Sequence, residues 1–297
     1  MMTPIPVTIA IPTYRREQVL LDTLAYLAAL EAPAAEILVL DQTELHEAAT
    51  EQALREMNER GLIRWLRLPE PSIPTAMNQG LVQAKCPVVL FLDDDIRPEP
   101  GLVAAHGAAH ATYADALVAG RVLQPWDEGK DYSGDTRFHF ATGQGRWIDE
   151  FMGGNFSVPR ALALALGGFD ENFVRVAYRF EAEFAHRWLA RGHRIRFEPA
   201  ATLHHLKVVT GGTRTYGEHL TTWRPDHAVG AYYHGLRTGS LREFALRPFR
   251  AIATRYHLRH PWRIAGTLLA EFGGMMWAIG LFVRGPKRIK PPQQDQA

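Results

Sequence analysis

Apolar runs and helical repeats alternate along the first hundred residues. Strand-length apolar runs occupy residues 7–12 (VTIAIP), 37–40 (ILVL), 63–68 (IRWLRL) and 88–92 (VVLFL), and Pro87 precedes the last of them. Between the runs, apolar residues recur at helical spacing in residues 20–28, 48–60 and 75–84. This alternation predicts a parallel sheet with helices on its faces, joined by right-handed crossovers.

The pattern changes after residue 100. Residues 117–122 (LVAGRV) form another apolar run, and a long connection rich in Gly, Asp and aromatic residues follows at 124–146. Toward the C-terminus, residues 244–257 have the pattern of a basic amphipathic helix, and residues 264–283 are mostly apolar. The sequence therefore predicts an α/β fold with a C-terminal helical extension.

Length and composition are typical of a globular protein. The chain has 297 residues, of which 46% are hydrophobic and 22% charged, enough for a large core. The single cysteine, Cys86, excludes an internal disulfide and a cysteine-based zinc site, and it fits a reducing compartment. No basic segment precedes the first apolar run, so we expect no signal peptide and a cytoplasmic location.

Charge is distributed unevenly along the chain. Residues 234–297 contain eleven Lys or Arg and three Asp or Glu, which gives this segment +8 and leaves −7 on residues 1–233. An acidic body with a basic C-terminal segment predicts contact between that segment and an anionic surface. The polar residues 291–297 are predicted to be disordered, and we expect no nucleic-acid partner.

Three consecutive aspartates, Asp93, Asp94 and Asp95, follow the apolar run at 88–92. Neighbouring carboxylates raise one another's pKa, and a divalent cation relieves their repulsion. Hard oxygen ligands suit Mg²⁺ or Mn²⁺, which in turn holds a diphosphate. In open α/β sheets, ligands bind beyond the carboxyl ends of the strands, where these residues fall. The triplet thus indicates a metal site, and a solvated acidic turn is the alternative.

Motifs along the chain resemble, in order, those of family-2 glycosyltransferases with the GT-A fold. They are residues 11–16 (IPTYRR), 39–43 (VLDQT), 76–80 (AMNQG), 91–95 (FLDDD), 153–155 (GGN), 167–171 (GGFDE) and 179–184 (RFEAEF). The resemblance covers about residues 5–215 and implies a Rossmann-like, mostly parallel central sheet flanked by helices. No G-x-G-x-x-G follows the first strand and no Walker A sequence occurs, which disfavours a dinucleotide fold of the common kind and a P-loop NTPase.

The resemblance implies a binding site for a UDP-, dTDP- or GDP-linked sugar. Its residues would be Pro12, Thr13, Tyr14, Arg15, Asp41, Asn78, Asp93, Asp94 and Arg214. Tyr14 is suited to stack on the base, and Asp41 to accept the imino N–H of uracil or thymine. The alternatives are a half-buried loop aromatic and a turn residue. Met77 stands where the family usually has an arginine facing the diphosphate, so we expect Arg15 or Arg214 to replace it.

The resemblance also implies a divalent metal, Mg²⁺ or Mn²⁺, held by Asp93 and Asp95, with Asp94 facing the sugar. Family members use a later histidine as a further ligand. Because side chains alternate along a strand, only one of His204 and His205 can face the site, and we favour His205. A purely structural histidine is the alternative.

Glu181 stands at the position of the family's catalytic Asp. We expect it at the start of a helix, where it would take the proton of the acceptor hydroxyl during an inverting transfer. A helix-start carboxylate without chemistry is the alternative. Glu183 lies two residues on and faces another side of the helix, so we expect it to pair with Arg187.

The acceptor side is the second half of this predicted site. Gly153, Gly154 and Asn155 resemble the family's acceptor-binding segment. The connection at residues 124–146 is long, and long connections are usually functional or mobile. We interpret it as an acceptor lid or as a partly ordered loop.

These inferences divide the chain into a catalytic domain at 1–215 and a basic helical extension at 216–290. The nucleotide-binding half is about 1–122 and the acceptor-binding half about 123–215. The expected function is metal-dependent, inverting transfer of a hexosyl or deoxyhexosyl group to a glycan or lipid-linked acceptor, in cell-surface or exopolysaccharide biosynthesis. The alternatives are a sugar-1-phosphate nucleotidyltransferase and a non-catalytic nucleotide-sugar-binding relative.

The apolar stretch at 264–283 reaches the minimum length of a membrane span. Glu271 interrupts it and basic residues flank it on both sides, which favours a helix on the inner surface of a membrane. Packing on the catalytic body or in a homodimer is the alternative. If the extension only contacts lipid, a chain ending near Gly239 should stay soluble and bind nucleotide.

Overall fold

The structure is a computed structural model that describes residues 4–132 and 134–290. The strands are β1 (Ile5–Thr13), β2 (Ala34–Asp41), β3 (Arg64–Arg67), β4 (Val88–Leu92), β5 (Ile96–Pro98), β6 (Leu117–Leu123), β7 (Arg146–Ile148), β8 (Asn155–Pro159) and β9 (Ile195–His205). The helices are α1 (Gln18–Ala28), α2 (Ala48–Glu59), α3 (Ile73–Gln83), α4 (Leu102–Thr112), α5 (Arg160–Ala165), α6 (Phe180–Ala190), α7 (Val229–Thr238), α8 (Leu241–Ile252), α9 (Arg255–Arg259) and α10 (Ile264–Arg284).

One sheet contains all of these strands. Its order is β3-β2-β1-β4-β8-β6-β9-β5, and β7 pairs with one end of β9. Pairing is parallel through β3, β2, β1 and β4 and between β6 and β9, whereas β5, β7 and β8 run antiparallel to their neighbours. The parallel strands β1, β2 and β4 end at one edge, where ligands of open α/β sheets bind. The predicted α/β class with flanking helices and a helical C-terminal extension is confirmed.

The elements predicted in the first hundred residues form with small differences in their bounds. The strand predicted at 88–92 is β4, and those predicted at 7–12 and 37–40 lengthen to β1 and β2. The helix predicted at 75–84 is α3, which begins two residues earlier. Ser72 caps α3 by accepting a hydrogen bond from the Thr75 backbone N–H at 3.4 Å.

Two hydrophobic clusters pack on opposite faces of the sheet. Along β1, Ala10 belongs to one cluster, and Ile9 and Ile11 belong to the other, because side chains alternate along a strand. The first cluster includes residues of α3, α6, α7 and α10, and the second includes residues of α1, α2 and α4. The sheet therefore holds the site-bearing strand ends between two well-packed layers.

The C-terminal extension shares the first of these clusters. Tyr232 and Tyr233 of α7 are fully buried in it, and Ala278 of α10 joins them. A Cβ placed on Gly274 would lie 3.0 Å from the backbone nitrogen of Val229, so α10 approaches the start of α7 closely. The predicted boundary at residue 215 thus does not separate two cores.

The prediction of a single helix at 244–257 is wrong. α8 ends at Ile252, and α9 begins after Thr254, whose side chain accepts a hydrogen bond from the His257 backbone N–H. The apolar and basic residues at 244–257 have the spacing of one continuous helix, but the cap at Thr254 interrupts it. Beyond α10 the chain returns to the turn after α5, where the Ile289 N–H donates to the Gly167 carbonyl at 2.9 Å. The predicted disordered tail at 291–297 lies outside the described residues.

Candidate functional site

A cavity of about 220 Å³ opens at the carboxyl ends of β1, β2 and β4. Its walls come from chain segments far apart in sequence. The lining includes Pro12, Thr13, Tyr14, Arg16, Gln42, Met77, Asp93, Asp94, Asp95, Arg175, His205 and Tyr216. The structure thus brings most of the predicted donor-site residues to one place and adds several that the sequence did not single out.

Asp93, Asp95 and His205 form a compact group at the end of β4. Their ligand atoms all lie within 4.8 Å of one another, with His205 Nε2 3.2 Å from Asp95 Oδ1 and 3.9 Å from Asp93 Oδ2. His204 faces away, and its Nε2 lies 2.7 Å from Glu99 Oε1. Two carboxylates and one imidazole in this arrangement fit a divalent cation such as Mn²⁺.

The three aspartates of the triplet differ in pKa. Burial raises the pKa of Asp93 and raises that of Asp94 to about 7, because desolvation disfavours a charged carboxylate. Burial acts in the same direction on Asp95 and is the largest single influence, but the hydrogen bond and charge of His205, the charge of Arg16 and the Val208 N–H together outweigh it and hold the pKa of Asp95 below the usual value. Burial opposes protonation of His205, yet the two carboxylates raise its pKa overall. A divalent cation would supply the same countercharge.

Arg16 neutralises the inner side of the aspartate triplet. Its Nε lies 3.0 Å from Asp94 Oδ1 and its Nη2 3.4 Å from Asp95 Oδ2. Arg15, which we predicted near the phosphates, points outward and ion-pairs with Glu44 at 3.8 Å. The backbone at Arg15 has a φ of 53°, and this turn brings Arg16 into the cavity. A left-handed arginine leaves no sequence signal, so the sequence could not distinguish the two residues.

The carboxylate of Asp41 is fully buried and held by protein donors. Trp65 Nε1 and His46 Nε2 lie 2.9 and 2.8 Å from its Oδ2, and the Thr43 N–H donates to Oδ1 at 2.8 Å. In this arrangement the Asp41 side chain is therefore not available for the predicted hydrogen bond to a nucleotide base. Gln42 lines the cavity instead, with its Nε2 fixed by two backbone carbonyls. Side chains alternate along an extended chain, so Gln42, which follows Asp41 at the end of β2, points to the opposite side from Asp41. This alternation is the sequence signal that could have identified Gln42 as a cavity residue.

Arg175 adds a second cation to the cavity wall. Its Nε lies 3.6 Å from Asp226 Oδ1, and its guanidinium lies 5.8 Å from the ring centre of Trp277 in α10. No sequence pattern indicates that Arg175 faces the cavity, because it has a φ of 62° in an irregular segment. Arg214, the predicted phosphate ligand, lies in the 3₁₀ turn Gly212–Tyr216 at the cavity rim, and its side chain is outside the described residues.

Gly153 and Gly154 leave space for two carboxylates. A Cβ on Gly154 would overlap the carboxylate of Asp93, and a Cβ on Gly153 would lie 2.9 Å from Glu181 Oε1. The Asp93 N–H also donates to the Gly154 carbonyl at 3.2 Å. The backbone of these two glycines, which carry no side chain, therefore lies between Glu181 and the group formed by Asp93, Asp95 and His205.

Asn155, the third predicted acceptor residue, lies inside the sheet. Its Oδ1 is 3.0 Å from His106 Nε2, and its Nδ2 donates to the carbonyls of Arg121 and Ala201 at 3.0 and 2.9 Å. The side chain is fully buried. We therefore no longer expect it to contact the acceptor, and its observed contacts fix β8 against β6 and β9.

Asn78 is also buried, and it does not line the cavity at the carboxyl ends of β1, β2 and β4. Its Nδ2 donates to the Phe169 carbonyl at 2.9 Å and to Glu171 Oε1 at 3.0 Å, and its Oδ1 accepts from the Phe169 N–H at 2.8 Å. It ties α3 to the turn at Gly167 and Gly168. Its contribution to a nucleotide site would be support rather than contact.

Glu181 is the second residue of α6 and lines a cavity of about 460 Å³ next to the glycine pair. Phe151, Met152 and Phe180 supply apolar walls, and Arg179 lies at the edge. Burial in these surroundings raises the pKa of Glu181 to about 7. A carboxyl group with such a pKa can accept a proton near neutral pH.

Glu183 faces the opposite way from Glu181. It is buried and binds Arg187 at 2.8 Å through both of its oxygens, and Arg288 at 2.8 Å. The predicted pairing with Arg187 is confirmed. The structure thus gives the two nearby carboxylates different surroundings, one in a cavity and one in an ion-pair network.

The connection at residues 124–146 contributes to both the site and the core. Gln124 Oε1 lies 3.1 Å from His205 Nδ1 and so orients the ring toward the carboxylates. Phe138 and Phe140 pack against Phe197, with ring centres 5.2 and 6.3 Å away. Part of the predicted lid is therefore structural.

Comparison with known proteins identifies a family. The family model described as "Glycosyl transferase family 2" matches residues 8–169, which is more than half of the chain. No curated protein matches the chain by sequence.

Solved structures of several glycosyltransferases are similar in fold. Staphylococcus aureus TarS (residues 1–349) with UDP-GlcNAc has a TM-score of 0.63 and 16% identity over 94% of this chain and 80% of that one. GalNAc-T7 with UDP, GalNAc and Mn²⁺ has a TM-score of 0.60 and 13% identity over 87% of this chain and 58% of that one, so this chain spans little more than half of its length. The mannosyltransferase PcManGT from Pyrobaculum calidifontis, with GDP-Man and Mn²⁺, has a TM-score of 0.54 and 19% identity over 96% and 81%. At these identities the similarity shows the fold, which is the predicted GT-A fold.

Proposed function

Since the chain belongs to glycosyl transferase family 2, we propose that it moves a sugar, with inversion, from a nucleoside-diphosphate sugar to a hydroxyl of a glycan or lipid-linked acceptor. The observation that carries this proposal is the arrangement around Gly153 and Gly154. On one side lie Asp93 and the cavity of about 220 Å³, and on the other lies Glu181 in a cavity of its own. Donor and acceptor sites separated by bare backbone suit direct transfer between two bound substrates.

The donor side fits a metal–diphosphate complex. Asp93, Asp95 and His205 would hold Mn²⁺ or Mg²⁺, which when bound neutralises charge on the leaving diphosphate. Arg16 and Arg175 are cations of the same cavity, and Asp94, which also lines it, would face the sugar. The fold neighbours with UDP, UDP-GlcNAc, GDP-Man and Mn²⁺ support a UDP-, dTDP- or GDP-linked hexose or deoxyhexose as donor.

The acceptor side requires a base, and Glu181 meets the requirement. Its carboxylate would take the proton of the acceptor hydroxyl while that oxygen attacks the donor sugar from the face opposite the diphosphate. A single base and a single attack give inversion. A sugar-1-phosphate nucleotidyltransferase is disfavoured, because residues 13–16 (TYRR) follow the first strand where that class has a Gly-rich loop. A non-catalytic relative would have no use for a half-buried carboxyl with a raised pKa.

The C-terminal extension supports a role at a membrane surface. Within residues 4–132 and 134–290, one helix, Pro261–Arg284, is long and apolar enough to cross a membrane. Its inner face packs on α7, and Glu271 pairs there with Arg247 at 3.0 Å, which supports a surface position instead. Its outer face exposes large apolar side chains, among them Leu269, Phe272 and Val283. These features support the proposal that the enzyme acts on the inner membrane face, in cell-surface or exopolysaccharide biosynthesis.

A panel of nucleotide sugars with Mn²⁺ tests the proposed function, with nucleotide release as the readout. One UDP-, dTDP- or GDP-linked sugar should be turned over, and excess EDTA or Asp95→Ala should abolish release because the metal group is lost. The control is Asp115→Ala, since Asp115 is an exposed carboxylate far from the site. Full turnover in EDTA would contradict metal dependence, and no release from any donor would contradict the function itself.

A further inference from the structure

A second, strongly cationic cavity lies between α7, α8, α10 and the segment before α7. Its volume is about 280 Å³. We call it the cationic cavity, and its basic lining residues are Arg179, Arg224, Arg247, Arg250, His219, His227 and His234. Only two acidic residues, Glu243 and Glu271, line it among the described residues. This excess of positive charge suits an anionic ligand.

Four arginines and two glutamates line the cavity, which leaves a net charge of +2. Arg247 pairs with Glu271 at 3.0 Å. Arg179, Arg224 and Arg250 form no ion pair with a carboxylate in the described part of the chain. The ring of His234 is about nine-tenths buried at the cavity wall, and no described residue hydrogen-bonds to it. Several guanidinium groups lining one cavity are typical of a phosphate-binding site, because each can donate charge-assisted hydrogen bonds to phosphate oxygens.

The cationic cavity connects two regions of different chemistry. Arg179 lines both this cavity and the cavity that contains Glu181. On the other side, Thr222 and Thr267 are shared with a groove of about 320 Å³ whose walls include the exposed rings of Trp223 and Trp262. The order along the surface is therefore carboxylate, cations, and then aromatic rings beside the exposed apolar face of α10.

We propose that the acceptor is a sugar carried on a phosphate- or diphosphate-bearing lipid, with its phosphate group in the cationic cavity. The reacting hydroxyl would lie at Glu181 and the hydrocarbon chain would leave over Trp223 and Trp262 toward the membrane. The order of the three regions matches the order of sugar, phosphate and hydrocarbon in such an amphiphile. This assignment rests on the proposed glycosyltransferase function and adds its acceptor class.

Farnesyl diphosphate, a short lipid diphosphate without a sugar, is the probe for the cavity. Binding to the full-length protein is measured by calorimetry in EDTA, so that the diphosphate cannot bind through a metal at Asp93 and Asp95. We expect binding of farnesyl diphosphate but not of farnesol. Arg250→Ala should weaken it by about tenfold, the size of one lost charge-assisted hydrogen bond. Arg242→Ala is the matched control, because Arg242 is an exposed arginine of the same helix that does not line the cavity.

Several outcomes would overturn the assignment. Equal binding of farnesol and farnesyl diphosphate, or equal effects of Arg250→Ala and Arg242→Ala, would remove the phosphate site. If Arg250→Ala abolishes binding to phosphatidylglycerol vesicles but leaves farnesyl diphosphate binding intact, the cavity holds a membrane headgroup and not an acceptor. Should Arg250→Ala fail to fold, Arg224→Ala at the exposed rim gives the same test. Binding of UDP, GDP or dTDP with Mn²⁺ to the unaltered protein is measured in parallel, and its failure would count against the proposed function instead.

Discussion

At the scale of single residues, the site separates carboxyl groups by their surroundings. Asp95 lies beside His205 and Arg16, and its pKa is held below the usual value. Glu181 lies among apolar side chains, and its pKa is raised to about 7. These opposite shifts fit the proposed roles of a cation ligand for Asp95 and a proton acceptor for Glu181.

Exchange of Glu181 for glutamine isolates the base. Glu181→Gln keeps the shape of the side chain but cannot take a proton, so kcat should fall by roughly 10²-fold or more while the donor KM changes little. Glu183→Gln should leave kcat nearly unchanged and lower the unfolding temperature, because Glu183 is buried between Arg187 and Arg288. Steady-state kinetics and thermal unfolding of both variants check this. The opposite result would move the base to Glu183.

The raised pKa of Glu181 also predicts a pH profile. Glu181 can act as a base only when it is ionised, so kcat should rise with pH and level off above the pKa of Glu181. That pKa is expected at or below about 7, because a cation bound near Asp93 lowers the pKa of Glu181. The same shift affects stability in the opposite sense. A carboxyl whose folded pKa exceeds its unfolded value of 4.5 stabilises the fold below pH 4.5 and loses that contribution as pH rises through the folded pKa. A rate profile that is flat through this range would exclude Glu181 as the titrating base.

At the scale of elements, Gly153 and Gly154, the two residues before β8, leave the space that lets Asp93 and Glu181 lie on either side of them. We expect Gly154→Ala to lower metal-dependent turnover, because the added Cβ occupies the position of the Asp93 carboxylate. The control is Gly101→Ala, where an added Cβ meets no atom within 4 Å. Titration of activity with Mn²⁺ should show weaker apparent binding for Gly154→Ala only. Identical titration curves for the two variants would contradict the role assigned to this turn.

The sequence predicted elements better than side-chain directions. β4 and the helices around it follow from apolar spacing and capping, which are local properties. The inward position of Arg16 and the burial of Asp41 depend on a left-handed turn at Arg15 and on Trp65 from the neighbouring strand. Such contacts bring together residues distant in sequence, and one chain read alone does not contain them. Strand alternation, which is a local rule, indicated that only one of His204 and His205 faces the site, and the family resemblance favoured His205.

At the scale of the whole molecule, the C-terminal extension has two faces with different partners. Its inner face belongs to the core of the catalytic body through Tyr232, Tyr233 and Ala278. Its outer face exposes apolar side chains beside the basic residues of α8 and α9. An apolar face with basic neighbours is typical of proteins that lie on anionic lipid. The packing alternative and the membrane alternative are therefore compatible with each other.

Vesicle binding tests the outer face. The full-length protein should pellet with anionic vesicles, and less so in high salt, because surface charges are screened. Leu269→Asp should reduce binding, since it places a carboxylate on the exposed face of α10. Leu45→Asp is the control, because Leu45 is exposed in the loop after β2. Failure of the unaltered protein to bind vesicles at low salt would leave the inner-face packing as the only role of α10.

The inner face changes the outcome expected for a truncated chain. The sequence alone suggested that a chain ending near Gly239 would fold and bind nucleotide. In the structure, that cut removes α10 from above Tyr232 and Tyr233 and removes Arg288 from Glu183. Each large apolar side chain that is uncovered costs about 1.5–3 kcal/mol, against a total stability of about 5–15 kcal/mol for a typical domain.

We therefore expect the chain ending at Gly239 to aggregate or to unfold without a cooperative transition. A chain ending at Lys290, which keeps every contact described for α10 and for the segment that returns to Gly167, should unfold at the same temperature as the full chain. Circular dichroism during heating and nucleotide binding compare the two. A chain ending at Gly239 that unfolds cooperatively and binds nucleotide would show that the catalytic domain is autonomous. The inner face of α10 would then contribute little to stability, and contact with lipid would remain as its function.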